Sequence, residues 1–308
     1  MTPETKQEIS QAVKIFAESK KISLNEIARR SGVNSATVSQ IANGKLEIKD
    51  HWFTLVAEFI GYHNGNSLEW PHVNTPQFKS IVTHLDDARR TGQNRTIIGE
   101  TGCGKTYAIN KYVRANPSNT FRITVSALHN LMAIINDIID QVGLDNIGLR
   151  PTKVRNVARR FKYYRNEGMQ PLLIIDEAEN LNTVAFGMLK SLYDQMEGVC
   201  PIVLVGTGQL TRRIERMVTL NKVGMPQFQR RFKAGTRKLP VVDKNFREFL
   251  DGVEDARLVK ALRRVCRNYG ELHDYMTMAR QEATRMRKPL TLEIFEDATT
   301  LKLEDYRW

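Results

Sequence analysis

The sequence predicts an α/β fold in which a parallel β-sheet is covered by helices on both faces, with an all-α segment before it and a helical segment after it. Three observations predict it. Thr96-Ile97-Ile98, Leu172-Leu173-Ile174-Ile175 and Ile202-Val203-Leu204-Val205 are short, apolar-rich runs typical of strands buried on both sides. Helical spacing fills the stretches between them, which calls for crossover connections and so for parallel pairing. Directly after the first run, residues 99–106 read Gly-Glu-Thr-Gly-Cys-Gly-Lys-Thr, the spelling of a phosphate-binding P-loop.

Each residue type in that loop has a physical task. Gly99, Gly102 and Gly104 let the backbone turn with its N–H groups pointing inward at phosphate oxygens, while Glu100, Thr101 and Cys103 complete the turn between them. Lys105 supplies a point charge to the outer phosphates and Thr106 a hydroxyl for Mg²⁺. A helix starting at Lys105 aims its positive end at the anion. The second apolar run ends in two carboxylates, Asp176 and Glu177. Asp176 is placed to hold the Mg²⁺ shell, and Glu177 to polarise an attacking water. The expected cofactors are ATP and Mg²⁺, and the expected reaction is ATP hydrolysis.

At 308 residues the chain has room for two or three domains. No apolar stretch approaches the length of a membrane span, and Met1-Thr2-Pro3-Glu4-Thr5-Lys6 lacks the layout of a signal peptide. The expectation is a cytoplasmic protein with no membrane partner. Cys103, Cys200 and Cys266 are too far apart to suggest a zinc site or a disulfide framework, and Cys103 reads as incidental to the loop.

The net charge of +12 is unevenly placed. Residues 150–165 carry seven basic side chains and no acid, and residues 209–238 carry nine against Glu215 alone, which leaves the rest of the chain slightly acidic. Clusters of this kind bind phosphate backbones. In the first cluster Val154, Val157, Ala158 and Phe161 recur at helical spacing, with Lys153, Arg155, Arg159, Arg160 and Lys162 on the flanks. These five, with Arg212 and Arg213 behind them, are the candidate contacts to a phosphate backbone.

Residues 1–64 read as a helical domain. Ser23-Leu24-Asn25-Glu26 has the form of a capping box, and the segment from Glu26 to Gly44 resembles the helix-turn-helix of the Cro and lambda-repressor type. Ala28 is small where the helices would cross, Gly32 permits the turn, and Val33, Val38 and Ile41 would pack. The face carrying Asn34, Ser35, Thr37, Ser39 and Gln40 offers short polar side chains to base edges or phosphates. With eight basic and seven acidic residues up to Asn66, this unit attracts DNA only weakly. Residues 65–76 lose helical periodicity and read as a linker. A helix over 78–90 follows, whose Gln77 junction, Lys79 and His84 are within reach of a base. Residues 77–238 form the expected ATPase core and 239–308 a helical lid.

With the P-loop and the acidic strand end in place, Thr207 at the end of the third apolar run resembles the polar sensor of AAA+ ATPases. Phe228-Gln229-Arg230-Arg231-Phe232 lies where that superfamily carries an arginine finger, with Arg231 the first choice and Arg230 the second. His273 stands where many relatives carry a lid arginine, and Arg280 is one substitute. The order of helix-turn-helix, P-loop, Ile174-Ile175-Asp176-Glu177-Ala178-Glu179-Asn180-Leu181 and Val205-Gly206-Thr207-Gly208-Gln209-Leu210 is similar to the transposition B proteins of Mu-like phages and related transposon ATPases. That resemblance implies double-stranded DNA bound mostly without sequence preference, a helical filament of this chain on that target DNA, its delivery to a DDE transposase, and disassembly driven by ATP hydrolysis. A helicase loader or replication initiator, an ATP-switched helix-turn-helix regulator, and an ATPase whose basic clusters bind only protein are the competing readings.

Overall fold

Apolar residues three and four apart along the first sixty positions close one small core. The computed structural model describes residues 3–20, 22–60, 62, 70 and 72–302. Its contacts divide the chain into two units, Met1–Glu69 and Trp70–Trp308. In the first, α1 (Pro3–Lys20), α2 (Leu24–Ser31), α3 (Ser35–Ala42) and α4 (Asp50–Ile60) bury Ile9, Val13, Ile27, Val38, Ile41, Phe53 and Val56 against one another. Ser23 caps α2 by accepting the Glu26 N–H at 3.2 Å, and Gly32 ends it in the left-handed conformation. Asn34 then caps α3 through the Ala36 N–H at 2.8 Å. Of the expected linker 65–76, residues 65–69 and 71 lie outside the described residues.

The second unit opens with α5 (Pro76–Thr91), capped by Thr75, and alternates strand and helix from there. β1 (Arg95–Ile98) leads through the loop to α6 (Lys105–Ala115), then come β2 (Thr120–Thr124), α7 (Leu131–Gln141), α8 (Arg150–Asn166) and β3 (Leu172–Asp176). A short 3₁₀ turn, Ala178–Asn180, precedes α9 (Thr183–Met196) and β4 (Ile202–Gly206). α10 (Gly208–Thr219), α11 (Met225–Lys233) and β5 (Thr236–Lys238) complete the core. The strands are all parallel, in the order β2-β3-β4-β1-β5.

Period-two alternation divides each apolar run between two cores. Leu173, Ile175, Ile202 and Leu204 face α7 to α11, while Leu172, Ile174, Val203 and Val205 face α5 and α6. Because every interior position is covered on one side or the other, β3 and β4 are buried from end to end. Parallel pairing also aligns the carboxyl ends: Ile98 pairs with Gly206, and Thr124 with Asp176. The loops after β1, β3 and β4 therefore emerge together, where open α/β sheets bind ligands.

The remaining helices, α12 (Arg247–Leu250), α13 (Ala256–Val265), α14 (Tyr269–Met286) and α15 (Leu292–Thr299), share a separate core built on Phe246, Phe249, Leu258, Leu262, Leu272, Met276 and Phe295. Cys103 belongs to this core and is 2% exposed. It is thus a packing residue joining the P-loop to the lid rather than incidental to the loop. Burial pushes its pKa up.

Candidate functional site

The P-loop turns through Gly102 and Gly104, whose φ angles are 73° and 88°. A side chain at Gly102 would also collide with Asn268, the N-cap of α14, and Gly270 donates its N–H to the Gly102 carbonyl at 3.1 Å. The lid is therefore stitched to the loop. Gly104 offers no side-chain cap to α6, so no side chain at that position stands between the start of the helix and an anion. Lys105 folds back over the loop, its Nζ donating to the carbonyls of Gly99 at 3.0 Å and Glu100 at 2.8 Å.

Asp176, 1% exposed at the end of β3, is fixed on both oxygens. Its Oδ1 accepts the Glu177 N–H at 3.0 Å. Its Oδ2 accepts the Thr106 hydroxyl at 3.0 Å and an Arg122 N–H at 2.9 Å. Thr106 and Asp176 are hard oxygen donors on facing elements, and that pair fits Mg²⁺. Glu177 is exposed and held in the left-handed region at φ 54°, a strained conformation for a residue with a side chain. Asn180 Nδ2 reaches its Oε2 at 3.4 Å while donating to the Val125 carbonyl at 2.8 Å. Thr207 caps α10, its hydroxyl oxygen accepting the Gln209 N–H at 3.3 Å.

These groups line a cavity of about 440 Å³ with two unlike ends. Thr101, Gly102, Gly104, Lys105, Thr106, Asp176, Glu177, Glu179 and Thr207 make the polar end. Trp70, Val73, Phe78, Tyr107, Phe249, Tyr269 and His273 make the other, largely aromatic one. Trp70 stacks on Phe249 with ring centroids 5.1 Å apart and meets His273 edge to face at 5.1 Å. His273 lines the cavity, whereas Arg280 lies over Trp70 at 6.0 Å and does not. Among the described residues, no arginine lines the cavity.

Several expectations are corrected by packing. Gln77, 1% exposed, donates to the carbonyls of Pro240 at 3.1 Å and Val241 at 2.9 Å and accepts the Tyr269 hydroxyl at 3.0 Å. It ties α5 to the lid instead of reaching a base. Lys79 and His84 do not line the cavity either; burial lowers the pKa of His84, with the charge of Arg237 adding to it. Lys153 is 7% exposed and donates to Asn136 Oδ1 at 3.2 Å, so its stem belongs to the core. Arg160 turns inward to the Gly143 carbonyl at 2.9 Å, whereas Arg155, Arg159 and Lys162 are exposed on α8.

Arg231, the first choice as a finger, is held within its own chain. Its guanidinium is 2.5 Å from Asp194, donates to the Gln227 carbonyl at 3.3 Å and lies 5.5 Å over the Tyr193 ring. Arg230 is exposed. On α10, Arg212 and Arg213 are exposed, and Arg213 donates to the Glu179 carbonyl at 2.9 Å. In the N-terminal unit Asn34, Ser35 and Gln40 are exposed and Thr37 is half-buried.

Sequence reasoning missed Arg122 and Glu179. Glu179 Oε1 accepts the Thr207 N–H at 3.3 Å, and its other oxygen is buried above Gly206 without a partner. Its spacing of three from Asp176, across a short turn, was the available signal.

Residues 88–214 match the AAA domain family. The ATP-dependent target DNA activator B of Escherichia phage Mu is 26% identical over 192 residues, covering 61% of this chain and 60% of that protein. The Mu-like prophage FluMu DNA transposition protein B of Haemophilus influenzae is 27% identical over 199 residues, covering 62% and 66%. The chain thus spans 60–66% of the length of these relatives. The Aeropyrum pernix ORC2 protein superposes with a TM-score of 0.55 at 17% identity over 77% of this chain and 70% of that one. The Aeropyrum pernix ORC1 protein in complex with DNA gives 0.53 at 18% identity over 75% and 66%. No helix among the described residues is long and apolar enough to cross a membrane. The chain therefore has the AAA+ P-loop ATPase fold, with an AAA domain over residues 88–214, and is similar to the transposition B proteins of Mu-like phages.

Proposed function

We propose that this protein is a DNA-binding ATPase of transposition, which assembles with ATP on target DNA and presents that DNA to a transposase. The observation that carries the reading is the convergence of Lys105, Thr106, Asp176 and Glu177 on one cavity. Lys105 and the start of α6, which Gly104 leaves without a side-chain cap, together suit the outer phosphates of ATP. Thr106 and Asp176 would hold Mg²⁺, which when bound supplies positive charge between the phosphates. Glu177 is the exposed carboxylate beside them, suited to accept a proton from an attacking water. The aromatic end of the cavity suits a planar base.

Phage Mu's relative is described as an ATP-dependent target DNA activator. Two features of this chain support the same role. The exposed cations Arg155, Arg159 and Lys162 on α8 and Arg212 on α10 suit a phosphate backbone read without base contacts. Arg230, exposed and next to the internally paired Arg231, suits a finger offered to a neighbouring subunit's ATP. Contacts of that head-to-tail kind generate open helices, so nucleotide would join subunits into a filament and hydrolysis by Glu177 would release them.

Random-sequence duplexes incubated with ATP, ADP or no nucleotide test the reading, with binding measured against salt and the products imaged. Salt-sensitive binding with regular filaments in ATP is the expected result. Monomers under every condition, or protection of a single unique site, would overturn it.

A further inference from the structure

We propose that Arg122 is a built-in counter-cation for Asp176, a positioning residue that occupies the metal-binding oxygen and thereby sets the Mg²⁺ concentration nucleotide binding requires. The inference rests on the nucleotide site proposed above. Arg122 lies in the middle of β2, among residues whose other side chains are apolar or threonine. Its guanidinium bridges two elements, donating through one nitrogen to Asn110 on α6 and through the other to Asp176 Oδ2 at 2.9 Å. The Arg122 side chain is 20% exposed and that of Asp176 only 1%, so the pair is poorly screened by solvent.

Geometry makes this more than a generic ion pair. Thr106 and Arg122 share the same carboxylate oxygen, while Oδ1 is held by the Glu177 N–H, so the carboxylate has little freedom to rotate. A divalent cation held by Thr106 and Asp176 would draw on the oxygen nearest Thr106, Oδ2, which the guanidinium already holds. The two cations compete for one oxygen. Arg122 Nε is buried without a partner, so the group sits where the carboxylate draws it rather than where all its donors are satisfied. Asn110 holds the guanidinium from its other side and so keeps it against Oδ2.

The test is a Mg²⁺ titration of fluorescent-ATP binding to the full-length protein, with thermal melting of the nucleotide-free form in parallel. Arg122→Met is expected to melt lower than wild type without ligand and to reach half-maximal binding at about tenfold less Mg²⁺, the scale of one charge-assisted hydrogen bond. Arg122→Lys keeps a cation and should stay near wild type. Asn110→Ala, which removes the second anchor only, should shift the Mg²⁺ midpoint partway and serves if Arg122→Met does not fold. An unchanged or raised Mg²⁺ midpoint in Arg122→Met, or in Asn110→Ala where that stands in, would overturn the proposal even if the melt falls, since a purely structural arginine moves only the melt. Wild-type protein that binds no ATP at any Mg²⁺ level would instead refute the nucleotide site itself.

Discussion

The two ends of the cavity are built by opposite means. At the polar end Lys105, Thr106, Asp176 and Glu177 each take their position from a strand end, a helix start or a hydrogen bond of defined length. At the aromatic end Trp70 and Phe249 take theirs from ring packing, on each other and on His273 and Tyr269. The wired end suits chemistry, where a displacement of one ångström matters. The packed end suits affinity, where area and stacking matter more.

Substitutions at the wired end should act on turnover. Glu177→Gln is expected to lower phosphate release about a thousandfold while leaving fluorescent-ATP binding intact, as loss of a general base does. Equal losses in both would break the division between the ends. Arg230→Ala should lower the turnover of the DNA-bound oligomer about a hundredfold or more. Arg231→Ala should mainly lower the melting temperature, because its guanidinium is paired with Asp194. Reversal of that order would restore Arg231 as the finger.

At the packed end the expected effects are smaller and of another kind. Trp70→Ala removes the ring stacked on Phe249 and should weaken ATP binding about tenfold, with turnover at saturating ATP little changed. Cys103→Ser puts a hydroxyl into the lid core behind the P-loop, at a cost of about 1–3 kcal/mol read by chemical denaturation. The division between tied and free groups extends to α8. Arg155→Ala, Arg159→Ala and Lys162→Ala should each lower the salt slope of DNA binding by about one, whereas Lys153→Ala should cost stability and leave the slope unchanged.

Much of the wired end was legible because its residues are neighbours in sequence. The P-loop glycines, the helix beginning at Lys105 and the acidic pair closing an apolar run are local patterns, and local patterns survive without a fold to read them in. The same holds for Ser23 and Gly32 at the two ends of α2. Lys153 and Arg160 were misread for a related reason. Helical spacing gives the angle of a side chain around its own axis, but not how far the neighbouring α7 covers that angle.

By itself, then, the sequence determined the alternation of strands and helices, the place where phosphate-binding groups would stand, and the concentration of positive charge in the ATPase part. These follow from nearest-neighbour sterics, hydrophobic periodicity and charge counting. Only the tertiary structure decided that Cys103 belongs to the lid, that Gln77 joins α5 to Tyr269, that Arg231 is engaged and Arg230 exposed, and that Arg122 shares an oxygen with Thr106. Each of those contacts joins residues at least thirty-seven positions apart or chooses between adjacent arginines, and such choices depend on which helix packs over which strand.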